Sequence, residues 1–498
     1  MKIKNIFNFM VLFVAALSIQ SCSDSDNKAA ATALTITQDD VEIESLDFHI
    51  GENTVMLGVN TDGEWTVSIP AEDESWLGVT PHAGYGWDIN DAGASNYRSY
   101  FKVTVQKNNS EARSSAITVK AGSMTKVIAV NQKGDSTDPN DPFESAWSMV
   151  ENFRMGYNMG NNLESNPYGT WFNGKEPKDW ETAWGQPEIS TEIIDALVEK
   201  GFNVIRVPVT WYPHIPGFAQ GDYTIDAAWM NRVKEVVKMV TDAGCYCIVN
   251  IQHDAGANNG SGDPHSAWLH ADDDYETVTV IYKAIWKQIA EEFKNESEKV
   301  IFEPFNEILD KGSSWTAPAA GHVAYETIAK LQQDFVNVVR ATGGNNEYRN
   351  LLFTTYGDTG NNDDAVNALT VPEDIHSNHL CATFHSYDPY WFCNDGSTDD
   401  EKNFYINYFT ADEQAVIDAI FIRVDKKCSA LGVPYFFGEF GAIGSHPDMV
   451  ERVKYTDYVT NKFNQYKTAG LWWNGLLNRK TLEWTESDIV DAFAKNRK

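Results

Sequence analysis

The chain has 498 residues and a formal net charge of −32, because 71 acidic residues outnumber 39 basic ones. This length exceeds one ordinary domain and predicts two or three. The acidic balance excludes a nucleic-acid-binding role, since it repels phosphate and leaves no basic surface, and it suits a secreted protein that acts on a neutral polymer. The 16 Trp, 21 Tyr and 25 Phe residues could stack on sugar rings, although large cores also use many aromatic side chains.

The first 22 residues have the pattern of a bacterial lipoprotein signal. A basic start is followed by an apolar segment over residues 6–19, which is too short to span a membrane as a mature helix. Cys22 follows a small residue at the end of this segment and resembles a lipidation site, although Gln20 is a less usual neighbour. The alternative is an ordinary secretory signal cut nearby. We expect residues 23–33 to form a flexible tether and Cys22 to anchor the protein in the outer membrane or at the cell surface, with the periplasm as the alternative location.

Residues 34–134 are predicted to form a small all-β, immunoglobulin-like sandwich, because short alternating runs are separated by turn signals. The motifs Gly63-Glu-Trp65, Trp76-Leu77 and Val130-Asn-Gln132 resemble the BACON domain, a family named for suspected carbohydrate binding. Trp65 and Trp76 occupy strand positions and are expected in the core, which makes the domain a spacer. Glycan binding or adhesion is the alternative. Residues 135–142 are predicted to be a linker.

From residue 143 to residue 498, apolar strands alternate with amphipathic helices. In residues 226–243 the apolar positions from Met230 to Val240 follow the i, i+3, i+4 spacing of a helix with one buried face. Eight such units predict a (β/α)8 TIM barrel, whose active site is built from the loops that follow the strands. The predicted strands are residues 155–161, 203–209, 246–252, 300–306, 351–356, 380–387, 434–439 and 471–474.

Polar side chains collect at the carboxyl ends of these predicted strands. Two buried-strand patterns end in a carboxylate, at Glu307 and at Glu439. An acid at the start of the next helix is the alternative for either one alone. Two such groups at one end of a barrel indicate a glycosidase, in which a retaining mechanism needs carboxyl groups about 5–5.5 Å apart. The other strand ends offer Asn161, Asn162, Arg206, Gln252, His253, Asp254, Asn306, His385, Tyr387 and Trp473.

Six motifs in residues 143–498 resemble glycoside hydrolase family 5, nearest to its subfamily 4 endoglucanases and xyloglucanases. The motifs are Gly156-Tyr-Asn-Met-Gly-Asn-Asn-Leu-Glu164, Glu181-Thr-Ala-Trp-Gly-Gln-Pro187, Gly201-Phe-Asn-Val-Ile-Arg-Val-Pro-Val-Thr-Trp211, Phe305-Asn-Glu307, His385-Ser-Tyr387 and Gly438-Glu-Phe-Gly441. The resemblance implies a retaining endo-β-1,4-glucanase that hydrolyses cellulose, mixed-linkage β-glucan or xyloglucan by double displacement.

The resemblance also implies a role for each matching residue. Glu307 matches the acid/base and Glu439 the nucleophile, while Arg206 matches the arginine that holds the nucleophile ionised. The other predicted substrate contacts are Asn306 at the sugar 2-hydroxyl, Tyr387 beside the nucleophile, His385 beside the acid/base, Trp473 under the sugar in subsite −1, and Asn161, Gln252 and His253 at their strand ends.

One position departs from the family pattern, because Gln252 stands where the family usually has histidine. An amide can bind a sugar hydroxyl but cannot titrate, so the hydrogen bonds in subsite −1 and the exact substrate are open. A register shift that gives His253 this role is the alternative.

Two other functions remain open at this point: an endo-β-mannanase that uses the same carboxylates, and a catalytically silent barrel that only binds glycan. Gln252 favours the silent barrel, whereas the presence of both Glu307 and Glu439 opposes it. We expect a monomer with no cofactor and no metal, since neither Cys-x-x-Cys nor His-Glu-x-x-His occurs. The five cysteines after Cys22 have no regular spacing, so we expect buried thiols rather than a disulfide framework.

Overall fold

The computed structural model describes residues 31–38, 41–48, 53–85, 99–106, 108, 110, 112–132, 134, 141–167, 172–256, 267–396 and 398–496. Cys22 and most of the expected tether lie outside the described residues, as do residues 135–140 of the expected linker. Among the described residues, no helix combines the length and the apolarity needed to cross a membrane. The chain divides into two compact units, a small β domain and a larger α/β domain.

The first unit is an all-β domain of two five-stranded sheets, which confirms the predicted fold of this region. One sheet has the order β2-β1-β4-β8-β6 and the other the order β3-β10-β9-β5-β7. Trp65 is 2% exposed and Trp76 is 7% exposed, so both lie in the core as expected. The strands are β1 (Leu34–Gln38), β2 (Val41–Glu42), β3 (Ser45–Phe48), β4 (Asn53–Thr61), β5 (Glu64–Ser68), β6 (Leu77–Thr80), β7 (Ala83–Tyr85), β8 (Ser99–Val105), β9 (Arg113–Ala121) and β10 (Met124–Gln132).

The second unit is a closed barrel of eight parallel strands, as the alternating pattern predicts. Its strands are β11 (Met155–Asn158), β12 (Phe202–Val207), β13 (Tyr246–Val249), β14 (Val300–Phe302), β15 (Leu351–Phe353), β16 (Leu380–Ser386), β17 (Tyr435–Phe440) and β18 (Gly470–Trp473). A short hairpin of β19 (Leu477–Asn478) and β20 (Glu483–Trp484) follows. Strands β11, β13 and β15 end three residues earlier than predicted and β14 ends four residues earlier, so Asn161, Gln252 and Asn306 lie in loops rather than in strands.

Helices follow the barrel strands and pack outside them, except for the first helix, which precedes β11 and packs on the apolar end of the barrel interior. They are α1 (Ala146–Asn152), α2 (Pro177–Glu181), α3 (Thr191–Glu199), α4 (Ala227–Asp242), α5 (Tyr275–Phe293), α6 (Val323–Ala341), α7 (Asp363–Ala368), α8 (Tyr390–Cys393), α9 (Ala411–Leu431), α10 (Met449–Tyr466) and α11 (Ser487–Lys495). The predicted face of α4 is buried, from Met230 to Val240. Five cysteines of the barrel are buried free thiols, as expected: Cys245, Cys247, Cys381, Cys393 and Cys428.

The barrel interior is filled from one end by apolar side chains. Side chains alternate along a strand, so every second residue points into the barrel. Residues at this spacing, such as Val204, Ile248, Ile301 and Leu471, form one buried cluster with α1. The next inward position along each of their strands is polar or aromatic: Arg206, Asn250, Glu303 and Trp473. The carboxyl end of the barrel therefore holds the polar layer, where active sites of this fold lie.

Candidate active site

Arg206 is the centre of the polar layer and is fully buried. A guanidinium group has five N–H donors, and here each one has an acceptor. Nε donates to Glu303 at 2.6 Å, and the four remaining N–H groups meet Glu439 at 2.7 Å, Asn306 at 2.8 Å, Asn158 at 3.0 Å and Gln252 at 3.3 Å. Burial alone lowers the pKa of Arg206, but the carboxylates of Glu303 and Glu439 outweigh it and raise the pKa above its ordinary value. Arg206 is therefore a permanent cation that aligns the side chains around it.

Glu439 lies on β17 and is held by two donors. Arg206 donates to its Oε1 at 2.7 Å, and the hydroxyl of Tyr387 donates to its Oε2 at 2.7 Å. Burial and the charge of Glu439 keep the pKa of Tyr387 well above its ordinary value, so the phenol remains an O–H donor. Each carboxyl oxygen of Glu439 therefore has its own fixed donor, which holds the orientation of the group.

Glu307 lies in the loop after β14, in a different environment. Its backbone has φ of +44°, in the left-handed region that non-glycine residues rarely adopt. Its N–H donates to Asp358 Oδ2 at 2.8 Å, and its Oε1 lies 2.9 Å from His385 Nδ1. Asn306 Nδ2 lies 3.4 Å from the other carboxyl oxygen. Glu307 therefore has no arginine partner among the described residues, in contrast to Glu439.

The two carboxyl groups face each other across His385. One carboxyl oxygen of Glu307, one of Glu439 and a ring nitrogen of His385 all lie within 4.8 Å of one another. His385 Nδ1 is 2.9 Å from Glu307 Oε1 and 3.8 Å from Glu439 Oε2. Retaining glycosidases place their carboxyl groups about 5–5.5 Å apart, whereas inverting enzymes leave about 6.5–9.5 Å for a water molecule. The spacing here is that of the retaining class.

His385 and Asp358 form a buried pair behind Glu307. Burial lowers the pKa of His385, but Glu439, Asp358 and the bond to Glu307 outweigh it and raise the pKa to about 9. Burial raises the pKa of Asp358 to about 7; His385 opposes this shift, while Glu303 and Glu307 add to it. The imidazolium form of His385 can donate from both ring nitrogens. His385 is therefore a donor to Glu307 at neutral pH.

Gln252 belongs to the Arg206 network, which accounts for an amide at this position. Its Oε1 accepts from Arg206 and, at 2.6 Å, from Asn250 Nδ2. The fifth N–H group of Arg206 thus finds an acceptor that stays neutral at every pH. His253 has its ring centroid 5.6 Å from that of Trp184 and lies near enough to Glu439 and Arg206 to feel both charges; burial is the main cause that lowers its pKa to about 4. Gln252, rather than His253, is the residue that accepts a hydrogen bond from Arg206.

Trp473 is the last residue of β18 and Asn161 lies in the loop after the neighbouring strand β11. Trp473 packs against the backbone of Gly160, where an added Cβ would lie 3.1 Å from its ring. Asn161 has φ of +65°, and its N–H donates to the buried carboxyl of Glu164. Arg479 donates to the carbonyl oxygen of Gly160 and, at 3.0 Å, to the side-chain oxygen of Asn474, the residue after Trp473. These contacts fix the loop carrying Asn161 beside the ring of Trp473.

Asn162 and Asp254 are structural in their contacts. The side chain of Asn162 donates to two backbone carbonyl groups, at 2.8 and 3.1 Å, and accepts from Arg479. Asp254 is buried and accepts from the N–H groups of Trp211, Tyr212 and the Trp268 indole. Neither side chain contacts Glu307 or Glu439 in these bonds.

Three residues of the site were missed in the sequence: Asn158, Glu303 and Asp358. Asn158 accepts from Arg206 and is fully buried on β11, and Glu303 follows the last residue of β14. A polar residue inside an otherwise apolar run is a signal that could have found both of them. Asp358 gives no such signal, because it lies in a turn after β15, a strand from which no site residue was predicted.

Comparisons with known proteins agree with this geometry. The cellulase model, glycosyl hydrolase family 5, matches residues 165–476, and the BACON model, an N-terminal binding domain, matches residues 65–133. Endoglucanase B of Ruminococcus albus is 32% identical over 377 residues, which cover 72% of this chain and 83% of that protein. The xyloglucan-specific endo-β-1,4-glucanase BoGH5A of Bacteroides ovatus is 27% identical over 530 residues, which cover 98% of this chain and 95% of that protein.

A solved structure extends the comparison to the fold. PbGH5A, a glycoside hydrolase family 5 enzyme from Prevotella bryantii, was crystallised as a mutant with a xyloglucan tetradecasaccharide. It superposes with a TM-score of 0.63 at 33% identity, covering 71% of this chain and 99% of that one. The family match spans more than half of the chain and includes both carboxylates, so this protein belongs to glycosyl hydrolase family 5.

Proposed function

We propose that the protein is a retaining endo-β-1,4-glucanase that acts on β-1,4-linked glucan, including xyloglucan. The observation that carries this proposal is the pair Glu307 and Glu439, whose oxygens lie within 4.8 Å in two different hydrogen-bond environments. Such a pair divides into an ionised and a protonated carboxyl group. The protein shares this chemistry with its family, and the names of its relatives support glucan as the substrate.

In the first step Glu439 attacks the anomeric carbon and Glu307 protonates the leaving oxygen. Arg206 and Tyr387 hold Glu439 from one side, which leaves the carboxylate oriented for attack. His385 donates to Oε1 of Glu307 at 2.9 Å, so the acidic proton of Glu307 belongs on Oε2. A covalent glycosyl-enzyme intermediate forms, and the shortened chain departs from the side of Glu307.

In the second step Glu307, now ionised, removes a proton from water, and that water hydrolyses the intermediate. Asn306 uses its Oδ1 to accept from Arg206, so only its Nδ2 is left for the substrate. An amide donor at this point can bind the 2-hydroxyl of the sugar, a contact that strengthens as positive charge develops on the ring. Trp473 supplies the apolar face on which that sugar would rest.

The first experiment is reducing-sugar release from barley β-glucan, carboxymethylcellulose, xyloglucan and glucomannan, with the products sized by chromatography. We expect cleavage of the glucans to mixed oligomers. Glu439→Ala and Glu307→Ala should each lower kcat by at least about 10²-fold on glucan without loss of the fold. Wild-type turnover by a folded Glu439→Ala protein would refute the site assignment.

The alternatives make different predictions in the same experiment. An endo-β-mannanase would cleave glucomannan and unsubstituted mannan faster than β-glucan. A silent glycan-binding barrel would bind these polymers without releasing reducing ends from any of them. The complete donor shell around Glu439 argues against the silent barrel, because loss of one partner from a buried charge network is costly and the network here is intact.

We further propose that the protein is a lipoprotein of the outer membrane or cell surface, anchored through Cys22, and that it acts as a monomer. The apolar segment over residues 6–19 and the small residue before Cys22 support this location. Replacing Cys22 with Ser should move the protein from the membrane fraction to the soluble fraction. Light scattering of the soluble form should give the mass of a single chain, about 55 kDa or less.

A further inference from the structure

Asp358 lies on the turn after β15, directly behind Glu307, and its side chain is fully buried. Its backbone has φ of +52°, in the left-handed region. The roles assigned to Glu307, Glu439, Arg206 and His385 leave Asp358 without a function. A buried acid in a strained conformation at an active site calls for an explanation, because both features cost folding free energy.

The first contact of Asp358 is with the backbone of Glu307. Asp358 Oδ2 accepts from the Glu307 N–H at 2.8 Å, where Glu307 itself has φ of +44°. A residue in the left-handed region points its side chain in a direction that ordinary strand geometry does not give. The bond from its N–H to the buried Asp358 carboxyl group therefore holds the carboxyl group of Glu307 in its orientation toward the site.

The second contact reaches the side chain of Glu307 through His385. The same oxygen of Asp358 lies 3.5 Å from His385 Nε2, and His385 Nδ1 lies 2.9 Å from Glu307 Oε1. Asp358 therefore contacts the backbone N–H of Glu307 directly, and it contacts the imidazole of His385, which in turn bonds the side chain of Glu307. The other charged groups near Asp358 are Glu303 and Arg206, which pair with each other at 2.6 Å.

We propose that Asp358 is a positioning residue for proton donation by Glu307. It holds Glu307 in the left-handed conformation, and it fixes the ring of His385 so that Nδ1 donates to Oε1 and leaves Oε2 to carry the proton. This inference rests on the proposed function, since it assumes that Glu307 protonates the leaving oxygen. Loss of Asp358 should therefore slow the first chemical step most for substrates whose leaving group must be protonated.

The test replaces Asp358 with Gly and with Asn. Glycine removes the carboxylate and tolerates φ of +52° without strain, whereas asparagine also tolerates this conformation and restores an acceptor oxygen. Two substrates are compared through kcat/KM, which reports the first chemical step: cellotetraose, a poor leaving group, and dinitrophenyl β-cellobioside, whose leaving group departs without protonation. Circular dichroism confirms that each variant folds.

We expect Asp358→Gly to lower kcat/KM on cellotetraose by about 10²-fold and on the dinitrophenyl glycoside by less than about threefold. Asp358→Asn should recover about tenfold of the loss on cellotetraose. The matched control is Asp388→Ala, which removes a partly buried acid of this barrel end that accepts hydrogen bonds from Asn361 at 2.6 Å and from Ser386 at 3.3 Å. The ratio of the two kcat/KM values should not change in this control.

An equal loss on both substrates in Asp358→Gly would overturn the proposal, because it would indicate general disruption of the site. No loss on cellotetraose, or no recovery in Asp358→Asn, would also overturn it. Glu307→Ala separates this proposal from the proposed function. If Glu307→Ala shows the leaving-group dependence and Asp358→Gly does not, only the role of Asp358 fails; if Glu307→Ala lacks it, the assignment of the acid itself fails.

Discussion

At the scale of single residues, the site consists of two charged clusters that share Glu439. Arg206 saturates its five N–H donors with two carboxylates and three amides, so removal of any acceptor would leave a buried donor unpaired. His385 bridges Glu307, Asp358 and Glu439 on the other side. Each acid of the site lies beside Arg206 or His385, and such pairing is the condition under which buried charges can be tolerated.

The raised pKa of His385 predicts a pH dependence of stability. In the folded protein the pKa of His385 is about 9, above its ordinary value of 6.5. The protonated ring therefore stabilises the fold fully below about pH 6.5. This contribution is lost as the pH rises through about 9. From the linkage relation we expect it to be about 2 to 3 kcal/mol at pH 7 and close to zero at pH 10.

Chemical denaturation of the wild type and of His385→Gln, at pH 7 and at pH 10, measures this contribution. The difference in unfolding free energy between the two proteins should shrink by about 2 to 3 kcal/mol between these pH values. A difference that stays constant would mean that His385 is not protonated in the folded protein at pH 7.

At the scale of elements, a second buried arginine holds the opposite end of the barrel. Arg349 is fully buried and donates to the carbonyl oxygens of Phe293, Glu296, Ser297 and Val300, at 2.6 to 3.0 Å. It therefore ties the end of α5 to the start of β14. Burial lowers the pKa of Arg349 to about 9, with a smaller effect from the Arg340 cation. Contacts at the amino ends of barrel strands serve stability rather than catalysis.

Arg349→Ala should therefore destabilise the barrel without changing its chemistry. We expect a loss of about 3 to 5 kcal/mol in unfolding free energy, because four carbonyl groups lose a charged donor. The kcat/KM on β-glucan at 25 °C should stay within about twofold of wild type for the folded protein. Lys238→Ala is the control: it removes an exposed pair with Asp242, 2.8 Å apart, and should leave the unfolding free energy nearly unchanged.

At the scale of the whole molecule, the sandwich and the barrel are separate compact units. Residues just before α1 already belong to the barrel, since Asp141 contacts His379 at 2.6 Å and Glu144 accepts from the Tyr246 hydroxyl at 2.6 Å. The catalytic contacts described above all lie within the barrel. The chemistry therefore needs the barrel alone, whereas the contacts that stabilise the barrel begin at Asp141, within the expected linker.

Residues 141–498 by themselves should cleave soluble β-glucan with the kcat/KM of the full chain. A shorter form, residues 145–498, keeps α1 and its N-cap Ser145 but loses Asp141 and Glu144. We expect this form to keep its activity at 25 °C and to melt at a lower temperature, because His379 and Tyr246 lose buried partners. A large loss of activity in the longer form would show that the sandwich contributes to the site.

The sandwich domain makes a separate prediction. Two of its three tryptophans, Trp65 and Trp76, are buried, and Trp76 donates to Asp73 at 3.1 Å, so neither of these rings is free to stack on a sugar; Trp87 lies outside the described residues. If the domain is a spacer, residues 31–134 should not sediment with cellulose, and xyloglucan in a native gel should not slow their migration. Binding in either assay would restore the carbohydrate-binding alternative and direct mutagenesis to other surfaces of the domain.

The sequence by itself determined the barrel and the nature of its two carboxylates. Periodicity along strands and helices is a local property of the chain, so α4 and the barrel strands follow from hydrophobic spacing alone. Glu307 and Glu439 come at the ends of apolar runs, and parallel strands in a barrel carry their ends to one face. The order of the elements was therefore enough to place these two residues together.

The tertiary structure decided which neighbours tune them. Gln252 rather than His253 meets Arg206, and Asp358 meets both Glu307 and His385, although these residues lie on different strands. Such contacts depend on the register between strands and on where each strand ends, and the sequence placed several strand ends three residues too far along the chain. Closure of the barrel sets these distances, because it brings together side chains that no local pattern in the chain relates to one another.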